Sequence, residues 1–313
     1  MLVGVTGGTG FIGRLLVESH LADGDMVRML TRSRTVARIP EGAIPFYGDL
    51  SFPYTDLLPF VNGLDVLYHC AAEIRCKEKM SQTNIEGTRH LIKASSRRVN
   101  RWVQLSSVGA YGLNPAGIVT EQSPIRPMGL YERTKTDSDH LVLDASKNGC
   151  FVATFLRPST VLGVGMTGQS VLQMIGLINR GLFFFVGNPG TSANYIHVYN
   201  VIHALRLCAI KPEAEGQTFI INDYRTFENF IGTISQLLGR ARPSLRIPEL
   251  LVRSIVKPFE RIPNFPLNTH RINILTNRTV YSTEKIAFLL GYKHQKSIES
   301  GLEEIVKYWR KCQ

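Results

Sequence analysis

The chain has 313 residues, 44% hydrophobic and 19% charged, the profile of a globular protein with ample core material. No run of about 18 uncharged apolar residues is present, so a transmembrane segment is not expected. Lysine plus arginine (36) exceed aspartate plus glutamate (25), for a net charge of +11. The basic residues are dispersed, with no basic arm and no aromatic-interleaved RNA motif, which reads as a basic globular fold rather than a nucleic-acid binder, with attraction for anionic ligands as the alternative. The 5 cysteines lack a C-x-x-C pair and the 8 histidines lack H-E-x-x-H spacing, so neither a disulfide framework nor a metal centre is expected. The N-terminus enters a strand pattern at once, without the basic stretch and cleavage site of a secretory signal, and the expected compartment is the cytoplasm.

In chain order, strand-like runs fall at 2–6, 26–31, 44–47, 65–69, 102–106 and 151–156, with helical periodicity opening near Phe11, Met80 and Leu130. Strands separated by helices predict right-handed crossovers. The expected fold is therefore α/β: a doubly wound parallel sheet of the Rossmann type, with helices on both faces, over residues 1–165. Beyond that the rhythm changes. Helical patterns at 201–209, 227–238, 248–260, 282–290 and 297–309 predict a smaller C-terminal substrate lobe over 166–313, with segments returning to the sheet.

The first strand runs into Thr6-Gly-Gly-Thr-Gly-Phe-Ile-Gly13, a glycine turn opening a helix. Gly7, Gly10 and Gly13, or Gly8, Gly10 and Gly13, satisfy the two dinucleotide spacings. Glycines let backbone approach a pyrophosphate, and the helix N-terminus offers free N–H groups, so Gly7, Thr9, Gly10, Phe11, Ile12 and Gly13 are the first cofactor candidates. The second strand ends without the carboxylate that would bind a ribose 2′-hydroxyl. Arg32 and Arg34 stand there instead, with the hydroxyls of Thr31 and Ser33, a set suited to a 2′-phosphate. NADP is the expected cofactor, with NAD as the alternative.

Tyr131 and Lys135 are four residues apart at a helix start, so phenol and ammonium share one face. A neighbouring lysine is expected to depress the phenol's pKa and make it a competent acid or base. Ser106 and Ser107 end the strand before it, and the carboxyl ends of parallel strands are where ligands sit in such sheets.

Together these motifs resemble the extended short-chain dehydrogenase/reductase superfamily, in its NAD-dependent epimerase/dehydratase group, over nearly the whole chain. The resemblance implies further roles. Asp49, followed by Leu50, matches the acid that meets the adenine, and Cys70-Ala71-Ala72 the strand end under the cofactor. Asn84 matches the N-x-x-G-T motif, and Pro158, in Arg157-Pro-Ser-Thr-Val-Leu-Gly163, the segment past the nicotinamide. Tyr195-Ile-His-Val198 matches another family strand, although Tyr199-Asn200 replaces its usual acidic pair. Alignment makes Ser107 rather than Ser106 the catalytic serine. Tyr131 would then move the hydroxyl proton, Lys135 hold the ribose and Ser107 bind the developing oxyanion. A homodimer is the family's usual assembly.

Glu73, Ser107 and Tyr195 are candidate substrate contacts. His197 reads as a satisfied core histidine and the aromatic run 183–185 as core. The amphipathic segment 248–260 reads as packing onto the small lobe, with a membrane or lipid-like substrate as its alternative. Val108-Gly109 stand where a dehydratase has an acidic pair, which disfavours dehydration. Arg32 and the closing pattern 275–281 resemble dihydroflavonol reductases and 3β-hydroxysteroid dehydrogenases. Thr160 stands where galactose epimerases carry an asparagine. The expected substrate is a keto or hydroxy compound, with a nucleotide sugar and epimerisation as the alternative. A non-catalytic NADP-binding regulator would commonly have lost the tyrosine or the lysine.

Overall fold

The computed structural model describes residues 1–32, 34–35, 38–113, 116–166, 168–259 and 269–312. Five strands open the chain: β1 (Leu2–Thr6), β2 (Met26–Thr31), β3 (Ile44–Tyr47), β4 (Leu64–His69) and β5 (Val99–Leu105). With Val152–Pro158 and Thr218–Ile221 they form a seven-stranded sheet, ordered Thr218–Ile221, Val152–Pro158, β5, β4, β1, β2, β3. Every pairing in it is parallel. Strand order reverses at β1, and the crevice outside the carboxyl ends at such a point is where doubly wound sheets bind ligands.

Both faces of the sheet are covered, which explains why its strands read as continuous apolar runs. Val3, Val5 and Tyr68 pack with Leu16 and Val17 of helix α1 (Phe11–Ala22) and with Val201, Leu205 and Cys208 of the Val198–Ile210 helix. Leu64, Leu67 and Trp102 pack on the other side with Phe60, Leu91 and Val142.

A third core, around Ile175, Phe230, Ile234 and Leu302, holds the smaller lobe together. Its three-stranded sheet runs Asp223–Thr226, Ser192–His197, Thr160–Leu162. Thr218–Ile221 returns to the large sheet, whereas Thr160–Leu162 and Ala116–Val119 leave it, the latter pairing with Arg278–Tyr281. The helices Ser170–Asn179 and Thr269–Leu275 were not read in the sequence; the first has a nearly unbroken apolar composition that carries little periodicity.

Candidate cofactor groove and catalytic centre

The glycine turn closes onto the end of β4. Gly7 stands at φ +71°, and a Cβ there would approach Ala71 N to 2.8 Å; one on Gly13 would meet Gly7 O at 2.3 Å. Only glycine permits this packing. Gly10 caps α1 in an extended conformation, with no side-chain cap and no acidic residue in the first turn. The leading N–H groups and the positive helix end therefore face the crevice without a built-in anion. Ile12 packs onto the core, and Phe11 lies against Gly163, where an added Cβ would be 3.0 Å from the ring. Their side chains support the turn.

A groove runs beside the turn between the ends of β1, β2 and β4. Gly7, Thr9, Arg32, Asp49, Leu50, Ala71 and Ala72 line it, as does Glu73. The walls add Thr6 and Gly48, which flank the expected candidates, and Thr83, which the sequence reading missed. Arg32 and Asp49 face each other at 3.9 Å. Asp49 also accepts hydrogen bonds from Ser51 N and Oγ, at 2.9 and 2.7 Å. The Arg34 guanidinium lies 5.6 Å from the centre of the Tyr47 ring, at the end of β3 rather than in the groove wall. Ser33 lies outside the described residues. A cradle of close-packed glycines, a helix N-terminus and a basic rim fit a dinucleotide.

Asn84, carried over by resemblance, and Glu73, a candidate substrate contact, both bond to the protein itself. Asn84, in the π-helical stretch Ser81–Glu86, is buried; its Oδ1 accepts from Glu73 N at 2.7 Å, and its Nδ2 donates to Glu73 O and Thr134 Oγ1. Its amide thus ties the loop after β4 to the helix Leu130–Lys147. Glu73 Oε1 accepts from the backbone N–H groups of Ile74, Arg75 and Cys76, and these bonds hold the carboxyl below the usual range. One Glu73 oxygen is thus committed to shaping its own loop, while the residue still lines the groove.

At the end of β5 the two serines part. Ser106 Oγ is buried and donates to Asp139 Oδ2 at 2.5 Å. Ser107 is half-buried, and its Oγ accepts from Gly109 N at 3.1 Å, which leaves its own proton to donate outward. The following turn, Val108–Tyr111, presses on the first turn of the helix Leu130–Lys147: a Cβ on Gly109 would come within 2.7 Å of Glu132 Cγ. That helix carries Tyr131 and, one turn on, Lys135, which is buried. Asp139, a further turn on, pairs at 3.3 Å with Arg157, which donates at 2.9 Å to the Tyr111 hydroxyl. Strand end, turn and helix are thereby cross-tied through one buried ion pair.

Burial pushes the Tyr131 phenol up to about 12, with the Glu132 and Asp139 carboxylates acting in the same direction. The expected depression by Lys135 does not hold for the protein's own groups. Lys135 is itself lowered by burial, against the pull of Asp139 and Cys70. Cys70 is pushed up to about 12 by burial and stays a thiol. Pro158 ends its strand beside Ile221.

Beneath the groove runs a buried polar chain that sequence reasoning missed. Ala71 N donates to Thr6 Oγ1 at 3.2 Å; Thr6 Oγ1 is 2.7 Å from His69 Nδ1, and His69 Nε2 is 3.0 Å from Thr88 Oγ1. Thr88 Oγ1 in turn meets Ser138 Oγ on the helix of Lys135 at 2.9 Å. Thr6 and His69 are register partners in the sheet, so the chain becomes visible once strand order is known.

Tyr195 stacks on Phe230 at 4.4 Å, and burial pushes its phenol up to about 12. That makes it a wall of the lobe's core rather than a free donor to substrate. His197 is fully buried, accepts from Tyr199 N and lies 3.4 Å from Glu304, the satisfied core histidine expected.

Residues 3–222 match the model of the NAD dependent epimerase/dehydratase family. The chain belongs to this family. It is 31% identical to sterol demethylase protein B of Methylococcus capsulatus, over 90% of this chain and 88% of that one. It is 29% identical to a 4-hydroxy-2-methyl-3-oxo-4-farnesyl-3,4-dihydroquinoline-1-oxide ketoreductase of Stigmatella aurantiaca, over 96% and 94%. Among solved structures, UDP-glucose 4-epimerase of Thermotoga maritima, determined with UDP-glucose, superposes with a TM-score of 0.79 at 21% identity, covering 100% and 99% of the two chains. At that identity the likeness speaks to the fold alone, and the fold is the one expected for this family.

Proposed function

We propose that this family member is an NADP-dependent reductase or dehydrogenase acting on the carbonyl or carbinol carbon of an apolar, polycyclic or prenylated compound. The observation that carries the reading is Tyr131 and the buried Lys135, one turn apart on a helix at the carboxyl edge of the sheet, beside a serine hydroxyl held outward and a glycine-lined groove. Relatives named for sterol demethylation and for reduction of a farnesylated ketone support the substrate class. So does a 3β-hydroxysteroid dehydrogenase/Δ5→4-isomerase of Mycobacterium tuberculosis, 27% identical over 97% of this chain.

NADP, held along the groove from the Gly7–Gly13 turn to Arg32, would supply or accept hydride at its nicotinamide. The remaining work belongs to the chain. Tyr131, kept as a neutral phenol by burial, is a proton donor, which suits delivery of a proton to the oxygen of a ketone undergoing reduction. Ser107 donates a hydrogen bond to the same oxygen as negative charge develops there. Lys135 holds the cofactor ribose and restores the proton to Tyr131. Asn84 and the Thr6–His69–Thr88–Ser138 chain fix the loop and helix that carry these groups. Incubating the purified protein with NADPH and sterol-like or prenylated ketones tests the reading: NADPH should be consumed in step with alcohol formed.

A further inference from the structure

The helix Glu249–Val256 has two apolar sides, and among the described residues only one is packed. Val252 and Val256 are buried with Val186 and Ile272. Leu250, Leu251 and Ile255 are 78%, 56% and 62% exposed. At 3.6 residues per turn these three fall on one face, away from the valines. The helix Thr269–Leu275 lies alongside, joined by a 2.7 Å hydrogen bond from Arg253 Nη2 to Asn273 Oδ1, and adds the exposed Ile274 next to the buried Ile272. The expectation that segment 248–260 packs onto the lobe thus holds for its valines and fails for its leucines; Glu260 lies outside the described residues.

The surroundings are basic. Between residues 240 and 259 the sequence carries Arg240, Arg242, Arg246, Arg253 and Lys257 against one acid, Glu249. Glu249 is spent on Arg253, Arg246 pairs with Glu228, and Lys257 is exposed at the end of the helix. The whole chain carries +11.

We propose that this face docks onto an anionic membrane surface. Leu250, Leu251 and Ile255 enter the boundary between headgroups and acyl chains, while Lys257 meets lipid phosphates and the net charge of +11 draws the chain to the anionic surface. An exposed apolar stripe with a basic flank matches both layers of such a surface. A second copy of the same face fits poorly, because it would bring Lys257 and the arginines against their own counterparts. The proposal stands apart from the role of Tyr131, since its test reads no turnover.

The full chain is sedimented with vesicles of phosphatidylcholine alone and of phosphatidylcholine with phosphatidylglycerol. Binding to the anionic vesicles should exceed binding to the neutral ones about tenfold and weaken as salt is raised. The exposed double substitution Leu250→Ser, Ile255→Ser should reduce binding to anionic vesicles about tenfold, and Lys257→Glu should reduce it too, with NADPH affinity unchanged in both variants. Equal binding to the two vesicles, or anionic binding untouched by the double substitution, overturns the proposal. So does a concentration-dependent dimer in sedimentation velocity that the double substitution abolishes, because the face would then belong to a second copy.

Discussion

Arg32 Nη1 lies 3.9 Å from Asp49 Oδ2 across the mouth of the candidate cofactor groove, a long ion pair between partners that are 64% and 38% exposed. Such a contact holds the arginine loosely. A 2′-phosphate would offer the same guanidinium a better acceptor. NADPH should therefore bind more tightly than NADH by about tenfold or more, the equivalent of one charge-assisted contact of roughly 1.5–3 kcal/mol. Fluorescence titration of both cofactors checks this. Arg32→Asp should abolish the preference and leave NADH affinity near its original value; an unchanged ratio would remove Arg32 from the site.

Tyr131→Phe keeps the ring and removes only the proton-carrying oxygen. Turnover should fall by about 10² or more, a usual share for general acid–base catalysis, with cofactor affinity retained. Lys135→Ala should lower both turnover and cofactor binding, because the proposed mechanism gives one ammonium both tasks. Substantial turnover by the Phe variant would locate the acid elsewhere.

The buried Asp139–Arg157 pair gives a stability prediction. Arg157→Met leaves the Asp139 carboxylate buried without its cation, and Asp139→Leu strands the guanidinium; each should cost about 3–5 kcal/mol. The double substitution should cost clearly less than the sum, which denaturant unfolding of the three variants would measure. Simple additivity would mean that the two residues do not act as a pair.

His69 is held down to about 3 by burial, with Lys135 adding to the effect. Its folded pKa lies below the value of about 6.5 expected when unfolded. The stability tied to neutral His69 is thus fully present above that value and is lost as pH falls toward 3. His69→Gln should lower stability at neutral pH and make its decline between about pH 6.5 and 3 shallower by up to one proton. A decline as steep as in the original protein would show that His69 takes up its proton in the folded state as well.

What could be read in advance was whatever rests on local rules. The glycine turn, the strands Leu2–Thr6, Met26–Thr31 and Ile44–Tyr47, and the helix carrying Tyr131 and Lys135 follow from turn chemistry and period. The helix expected near Met80 opens at Lys77 and runs through a π-helical stretch, since no local pattern marks the extra residue that lets Asn84 reach Glu73. The Asp139–Arg157 pair and the Thr6–His69–Thr88–Ser138 chain join residues from separate elements, and only the assembled sheet makes them neighbours. The upward shift of Tyr131 was equally hidden: the sequence shows Lys135 one turn away, whereas the desolvation that raises the phenol belongs to the fold.

The most direct test follows deuterium from 4-deuterated NADPH into product, across sterol-like, prenylated and flavonoid-like ketones and keto-sugar nucleotides. Deuterium should appear at the carbinol carbon of an apolar product, in step with loss of the reduced cofactor, and should disappear with Tyr131→Phe. Interconversion of a sugar nucleotide with no net change in cofactor absorbance would contradict the account and assign the same centre to an epimerase.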